Sequence, residues 1–218
     1  MKIAFTGCSG TGKSTLARDV ARMLKVPAIV GTAKELLEEH HYSWGWHGQV
    51  ERFIEQNGLQ LRLFDMQKNR EDEHESFVTD RAGVEQAAYA IIESRQTAEK
   101  QFDLPGFLDR CRDYMSHYDM IFYIPWNGGI TDHESGYRFS VDAIIQRLLS
   151  RWNKSYEKTD PQKELSDVAE DIAEKILDSF TALRRQLTHS RETTERLAPP
   201  RKRAVGQRRK ARQTKAGR

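Results

Sequence analysis

A glycine-rich segment near the amino terminus restricts the possible folds more than any other feature. Residues 7–14 read Gly-Cys-Ser-Gly-Thr-Gly-Lys-Ser, which fits the pattern G-x-x-x-x-G-K-[ST] at every fixed position. The short, mostly apolar segment 2–6 precedes it, and apolar residues at helical spacing follow it over residues 13–25. The pattern therefore predicts a buried strand, a tight loop and an amphipathic helix, in that order.

Such a loop is typical of a phosphate-binding site. Its glycines let successive backbone N–H groups turn inward around an anion, and the following helix points its positive end at the same place. Lys13 is expected to reach the β- and γ-phosphate oxygens of ATP, and the Ser14 hydroxyl is expected to ligate Mg²⁺. The predicted nucleotide-binding residues are Gly7, Cys8, Ser9, Gly10, Thr11, Gly12, Lys13, Ser14 and, at the α-phosphate, Thr15.

Short apolar segments alternate with helical patterns along the rest of the chain. Strands are predicted at residues 28–30, 76–79 and 120–124 and near Tyr156. Residues 34–75 are predicted to be mainly helical with an aromatic interruption at 42–46, and further helices are predicted at 84–100, 105–117, 141–152 and from Asp160-Pro161 onward. This order predicts the three-layer α/β sandwich of P-loop NTPases, with a parallel sheet of about four to five strands between helices. Ligands of such sheets bind at the carboxyl ends of the strands.

The third predicted strand ends in Asp80-Arg81. P-loop proteins hold the carboxylate of the Mg²⁺ shell at this position, so Asp80 is predicted as a metal ligand and catalytic residue. Arg81 is predicted to neutralise phosphate charge. The alternative is a surface turn with a local Asp–Arg pair.

Two other classes of P-loop protein fit less well. Motor-type ATPases follow the acid with Glu, where this chain has Arg81, and GTPases need Asn-Lys-x-Asp to read guanine. Asn153-Lys154 is the only Asn-Lys dipeptide, and no Asp follows at the required position. The pattern therefore favours a kinase, which transfers a phosphoryl group to an acceptor.

Residues 125–140 form a long connection that contains several glycines. Long loops in compact domains often close over active sites, and a kinase must exclude water from its phosphoryl donor. Arg138 is predicted as the catalytic cation that this lid supplies. Arg147 and Arg151 are second choices, and ordinary surface ion pairs are the alternative for all three.

The acceptor side is predicted within the aromatic stretch that follows the second strand. Trp44, Trp46 and Phe53 are candidates for stacking on a flat base, and core packing is the alternative for the tryptophans. The nearby histidines match no common zinc spacing. Gln60, Arg62, Gln67 and Arg70 lie at helical spacing and are interpreted as a solvated face, with a position facing the same acceptor pocket as the alternative.

The charge distribution separates an acidic body from a basic tail. Ten of the 35 Lys and Arg residues lie in 196–218, which contains no acid, so the remaining chain has 25 basic and 32 acidic residues. We expect residues 1–183 to form the catalytic domain and residues 184–218 a basic, disordered tail. Such a tail binds a nucleic-acid backbone mainly through counterion release, so DNA is the expected partner, with a solubilising role as the alternative.

The compartment is predicted from cysteine use and hydropathy. Two cysteines make no disulfide framework, and no run of about 18 apolar residues that would span a membrane occurs. The first residues reach glycine too early for the apolar core of a signal peptide. A cytoplasmic protein is expected, in the host cytoplasm if the chain is encoded by a phage, whereas the oligomeric state is left open.

Taken together, the loop at 7–15, Asp80-Arg81 and the segment 118–125 with its Arg-bearing lid resemble the nucleoside and nucleotide kinase branch of P-loop proteins. Asp80-Arg81 resembles the Asp-Arg motif of thymidylate kinases, although Ala82 stands where those have an aromatic residue. The pattern is also similar to nicotinamide riboside kinase-like ATPases and to phage kinases that phosphorylate 5-hydroxymethyluracil in DNA. The resemblance covers about residues 1–180.

The resemblance implies ATP, Mg²⁺ and a nucleoside-like acceptor. It assigns phosphate binding to Gly12, Lys13 and Ser14, and catalysis to Asp80 and Arg81. With the basic tail, it favours the hydroxyl of 5-hydroxymethyluracil in phage-type DNA as acceptor. The alternatives are a free nucleoside monophosphate, nicotinamide riboside, and a nucleic-acid-binding NTPase that has no acceptor.

Overall fold

The computed structural model describes residues 1–39, 58–96, 103–128 and 135–197. Its centre is a parallel five-stranded sheet in the order β2-β3-β1-β4-β5. The strands are β1 (Lys2–Thr6), β2 (Ala28–Ile29), β3 (Phe77–Thr79), β4 (Met120–Tyr123) and β5 (Glu157–Lys158). The predicted fold class is confirmed.

Helices connect the strands. Those in the described residues are α1 (Lys13–Leu24), α2 (Thr32–Glu39), α3 (Leu59–Asp72), α4 (Gly83–Gln96), α5 (Leu104–Tyr114), α6 (Ser135–Arg151) and α7 (Leu165–Leu197), with a 3₁₀ turn at Met115–His117. The crossover that contains α1 leads from β1 past β3 to β2, whereas the later crossovers lead in the opposite direction. Because parallel crossovers are right-handed, opposite directions place these helices on opposite faces of the sheet.

The strand order creates a crevice beside β1. This strand is fully buried at Ile3, Ala4 and Phe5, as expected of a central strand covered on both sides. The chain order reverses between β1 and β3, which lie side by side with Ala4 opposite Thr79. A doubly wound sheet binds its ligands at such a switch point, so the loops after Thr6 and Thr79 meet where a site is expected.

Two helices begin at other residues than the pattern predicts. Helix α6 starts at Ser135 instead of near Val141, so the last part of the predicted lid is helical. Its first turns expose Tyr137 and Phe139, and aromatic residues on a solvated face conceal the helical periodicity. Helix α7 starts at Leu165, because Asp160 accepts a hydrogen bond from the Gln162 N–H and closes a turn of its own.

The carboxyl-terminal helix also ends later than predicted. Contacts divide the chain into a unit Met1–Ile176 and a unit Leu177–Arg218, and α7 continues to Leu197. Residues 184–197, expected to be disordered, are therefore helical. They contain no Gly or Pro that would end a helix. The basic residues beyond 197 lie outside the described residues, as do Trp44, Trp46 and Phe53.

A buried polar network joins α3 to α4. Gln67 Nε2 donates to Glu71 Oε1 at 2.6 Å and to the Arg81 carbonyl oxygen at 2.7 Å. Gln86 Nε2 donates to Gln67 Oε1 at 2.7 Å. The interpretation of Gln60 and Gln67 as a solvated face was wrong, since both are buried. Helical spacing locates a face but does not say whether solvent or a polar neighbour covers it.

The pH dependence of stability should reveal the buried Glu93. Burial raises the pKa of Glu93 from an ordinary 4.5 to about 8, although the Gln60 amide, at 2.7 Å, and the charge of Arg81 oppose the rise. Between these values the folded state binds more protons than the unfolded state, so the free energy of unfolding must fall as pH rises. We expect Glu93→Gln to flatten the decline between pH 5 and pH 8 in urea unfolding.

A smaller decline should remain in that variant. Burial also raises the pKa of Glu71, to about 6. Deprotonation of this carboxyl therefore also lowers the free energy of unfolding as pH rises, but over a lower pH range. An undiminished decline between pH 6 and pH 8 in Glu93→Gln would show that Glu93 does not titrate there.

Candidate active site

The glycine-rich loop turns between β1 and α1 through conformations that favour glycine. Gly7, Gly10 and Gly12 have φ values of +151°, +80° and +85°. The Gly12 carbonyl oxygen accepts hydrogen bonds from the N–H groups of Thr15 and Leu16 and so begins α1. The loop therefore closes directly onto a helix amino terminus, which attracts anions.

Gly12 can be tested by substitution. A Cβ there would lie 2.9 Å from Leu165 Cδ1, and the left-handed conformation costs a non-glycine residue roughly 1–2 kcal/mol. We expect Gly12→Ala to displace the loop and to weaken ATP binding at least about tenfold, as measured by calorimetry. Gly136→Ala is the matched control, because a Cβ at Gly136 meets nothing within 4 Å. Equal ATP affinities in the two variants would contradict this account.

Lys13 lies against the loop. Its ammonium group donates to the Cys8 carbonyl oxygen at 2.6 Å and lies 3.6 Å from Glu85 Oε1. The side chain is only 8% exposed, which is rare for a lysine without a partner for its charge. The ammonium group is therefore held at the loop, and Lys13 does not serve mainly to pack the core.

Ser14 and Asp80 bring the two predicted metal ligands together. Ser14 Oγ donates a hydrogen bond to Asp80 Oδ2, which also accepts one from the Gly31 N–H at 3.3 Å. The backbone N–H of Asp80 donates to the Ile29 carbonyl oxygen, which anchors the residue at the end of the sheet. A hydroxyl and a carboxylate in contact are hard oxygen donors of the kind that Mg²⁺ prefers.

Glu85 connects the phosphate loop to Arg81. Its Oε1 lies 3.6 Å from both Lys13 Nζ and Arg81 Nη1, and the residue is fully buried. Burial raises the pKa of Glu85, while the charges of Lys13 and Arg81 oppose the rise. One carboxyl group thus faces two cations that the sequence assigned to different parts of the site.

Glu85 and Tyr89 were missed in the sequence. The Tyr89 hydroxyl accepts a hydrogen bond from the Ser9 N–H at 3.2 Å, and Arg81 lies 5.9 Å from the Tyr89 ring centre. Arg81, Glu85, Tyr89 and Glu93 follow one another at intervals of four. Residues at that interval lie on one face of a helix. A polar helix face directly after Asp80-Arg81 is the sequence feature that could have identified Glu85 and Tyr89 as site residues.

The Cys8 thiol is inert. Burial raises its pKa to about 12, and the nearby positive charges of Lys13 and Arg138 only partly oppose this. A thiol that stays protonated is a poor nucleophile. Cys8 therefore serves the loop through its carbonyl oxygen.

Arg138 lies in the first turn of α6, and its positive charge partly opposes the raised pKa of the Cys8 thiol, whereas the charge of Asp142 adds to the rise. Asp142, one turn further along, accepts hydrogen bonds from the Tyr123 hydroxyl at 2.8 Å and the Gln146 amide at 2.9 Å. Tyr123 is the last residue of β4, so this contact fixes the helix to the sheet. Arg147 and Arg151 are exposed.

The structure thus gathers Lys13, Ser14, Asp80 and Arg81 at the carboxyl ends of β1 and β3, with Arg138 near Cys8. Thr15 is exposed on the first turn of α1. Within the described residues, no group of three or more His, Cys, Asp or Glu side chains that would hold a metal ion occurs. No helix in the same part of the chain has both the length and the apolarity needed to cross a membrane.

The sheet order, the loop and the Ser14–Asp80 contact define a P-loop NTPase. A family model described as an AAA domain matches residues 2–161, and the chain belongs to that family. No curated protein matches the sequence.

Solved structures share the fold at low identity. A deoxyadenosine kinase from M. mycoides, bound to dCMP and dCDP, has a TM-score of 0.61 at 15% identity over 82% of this chain and 100% of its own. The YorR protein from Bacillus subtilis, in complex with phosphorylated GDP, has a TM-score of 0.53 at 17% identity, with coverages of 83% and 98%. Shikimate kinase from Aquifex aeolicus has a TM-score of 0.52 at 14% identity, with coverages of 82% and 98%.

Proposed function

We propose that this protein is an ATP-dependent phosphotransferase. The observation that carries the proposal is the hydrogen bond between Ser14 and Asp80. Beside it, the cations of Lys13 and Arg81 both contact one carboxylate oxygen of Glu85. Phosphoryl transfer needs cations around the moving group and an oxygen-lined metal position beside it. The similar folds of two proteins named as kinases support the same activity.

ATP and Mg²⁺ are the proposed cofactors. The loop residues 7–15 would bind the triphosphate, and the oxygens of Ser14 and Asp80 would hold the ion. Mg²⁺ is commonly bound by one or two carboxylates together with substrate phosphates. The Asp80 carboxylate and the Ser14 hydroxyl match this coordination preference. When bound, the ion neutralises charge on the β- and γ-phosphates.

The reaction is a displacement at the γ-phosphorus. An acceptor hydroxyl oxygen forms the new bond to phosphorus while the bond to the β,γ-bridging oxygen breaks, and its electron pair leaves with ADP. The hydroxyl proton passes to the Asp80 carboxylate. Lys13 and Arg81 stabilise the charge on the transferring group, and Arg138 is supplied by the lid at residues 125–140.

The proposed acceptor is of nucleotide type, and the favoured acceptor group is the hydroxyl of 5-hydroxymethyluracil in phage-type DNA. The basic residues 196–218 support this choice, because a cationic tail raises the local concentration of a polymer substrate. Residues 1–183 are the proposed catalytic domain, and Trp44, Trp46 and Phe53 are proposed to stack on the acceptor. A free nucleoside monophosphate and nicotinamide riboside are the alternative acceptors.

Transfer of label from γ-labelled ATP tests the proposal. The acceptor panel contains free nucleosides, nucleoside monophosphates, nicotinamide riboside, and oligonucleotides with and without 5-hydroxymethyluracil. We expect label on the modified oligonucleotide, and a large, salt-dependent loss of that activity in a variant lacking residues 196–218. Label on a free acceptor, unchanged by the deletion, would reject the DNA assignment but keep the kinase.

The same assay separates the kinase from an NTPase that binds nucleic acid. Inorganic phosphate released in the presence of DNA, with no labelled acceptor in the whole panel, would reject phosphotransfer.

A further inference from the structure

Glu85 has no role in the phosphoryl transfer described above, yet it is the most deeply buried charge of the site. Its side chain is fully inaccessible and lies 3.6 Å from the two cations of Lys13 and Arg81. Lys13 belongs to the nucleotide, since its ammonium group lies on the phosphate loop. When phosphate takes that ammonium, Glu85 keeps its second cation, Arg81, which directly follows Asp80 in the chain.

The surroundings of Arg81 are therefore not strongly cationic. Its guanidinium lies 3.6 Å from Glu85 Oε1 and is also attracted by the neighbouring Asp80 carboxylate, whereas burial raises the pKa of Glu93 to about 8 and keeps that group mostly neutral at pH 7. A phosphate group on the acceptor would add negative charge to this set. Binding a phosphorylated acceptor would require cations in excess, because an anion is bound by a positive potential.

We propose that Glu85 is a specificity-determining residue. It offsets part of the charge of Arg81, which leaves enough positive charge for the transferring phosphoryl group but not for a second phosphate, and so selects an acceptor whose reacting end is uncharged. Phosphorylated acceptors are excluded by the same carboxylate. The inference rests on the proposed phosphotransferase activity. It applies equally to a free nucleoside and to a hydroxymethylated base in DNA, whose entering end carries no charge.

Paired acceptors test the inference. Label transfer from ATP is measured for thymidine against its 5′-monophosphate, for deoxyadenosine against its 5′-monophosphate, and for the 5-hydroxymethyluracil oligonucleotide. For each pair, we expect the kcat/KM of the wild-type protein for the nucleoside to exceed that for its monophosphate at least tenfold. If the modified base is the true acceptor, the kcat/KM for the oligonucleotide should exceed those for the monophosphates by the same factor. In Glu85→Gln the freed Arg81 should bind phosphate, so the KM for monophosphates should fall and the preference should shrink at least tenfold.

Glu71→Gln is the matched control. Glu71 is also fully buried, but it accepts hydrogen bonds from the Tyr114 and Tyr118 hydroxyls at 2.8 and 3.1 Å, and its change should leave the acceptor preference as it was. If Glu85→Gln lowered the kcat/KM for nucleosides and for their monophosphates by the same factor, Glu85 would be only structural and the inference would be overturned.

The wild-type protein alone keeps the inference falsifiable if Glu85→Gln does not fold. Calorimetric titration in the presence of ADP compares each nucleoside with its monophosphate. Tighter binding of the monophosphates, or preferred phosphorylation of them, overturns the inference while the kinase stands. Transfer to no acceptor at all overturns both the proposed function and the inference.

Discussion

Replacing Lys13 by alanine should reduce phosphoryl transfer about a hundredfold to a thousandfold while the protein remains folded. Removing one well-placed donor to a developing negative charge costs this much in other enzymes, and the Lys13 ammonium is placed on the loop by the Cys8 carbonyl oxygen. Label transfer from γ-labelled ATP gives the loss, and circular dichroism with thermal unfolding shows whether the fold is kept.

The fold should survive because Glu85 keeps a second cation, Arg81, and otherwise takes up a proton, its pKa being already raised by burial. Lys68→Ala is the matched control, since Lys68 pairs with Asp72 on an exposed face of α3. Global unfolding of Lys13→Ala would mean that this lysine serves the core, and an unreduced rate would remove it from the site.

Asp80→Asn should lower turnover at least about a hundredfold, with a change in ATP affinity below about tenfold. The amide keeps the shape of the side chain but loses the negative charge that a divalent cation needs and the basicity that takes a proton. In the proposed site the loop residues bind ATP directly, whereas Asp80 acts through the ion. Turnover against Mg²⁺ concentration, together with ATP binding by calorimetry, separates the two effects.

Asp119→Asn is the matched control for that change. Asp119 accepts a hydrogen bond from the Lys2 N–H at 2.8 Å and precedes β4, at the opposite end of the sheet from Asp80. Its substitution should leave turnover near the wild-type value. Wild-type turnover in Asp80→Asn would end the catalytic role of this carboxylate.

Much of the fold was predictable because strands and loops carry strong local signals. The apolar segment of β1 and the glycines after it have one plausible arrangement, and β4 is apolar throughout. Helix starts were less predictable, as at Ser135 and Leu165, because exposed aromatic residues and a local turn conceal the boundary. The helix over residues 184–197 was not predicted because the apolar stripe of the preceding turns ends near Leu183, while no Gly or Pro marks a helix end before Pro199.

The site was predictable only where a residue is tied to a loop motif. Asp80 directly follows β3, and Lys13 and Ser14 end the loop that follows β1, so chain order and the loop motif together predict that they meet. Glu85 and Tyr89 lie within a helix, and their contacts with Lys13 and Ser9 depend on how α4 docks against the loop. Spacing along one helix cannot reveal a docking partner more than 70 residues away.

In the proposed phosphotransferase, the carboxylate of Glu85 beside the Lys13 ammonium makes nucleotide entry an ion exchange. A triphosphate would replace an internal anion that already neutralises part of the positive charge of the loop, so the free protein presents less bare charge to other polyanions in solution.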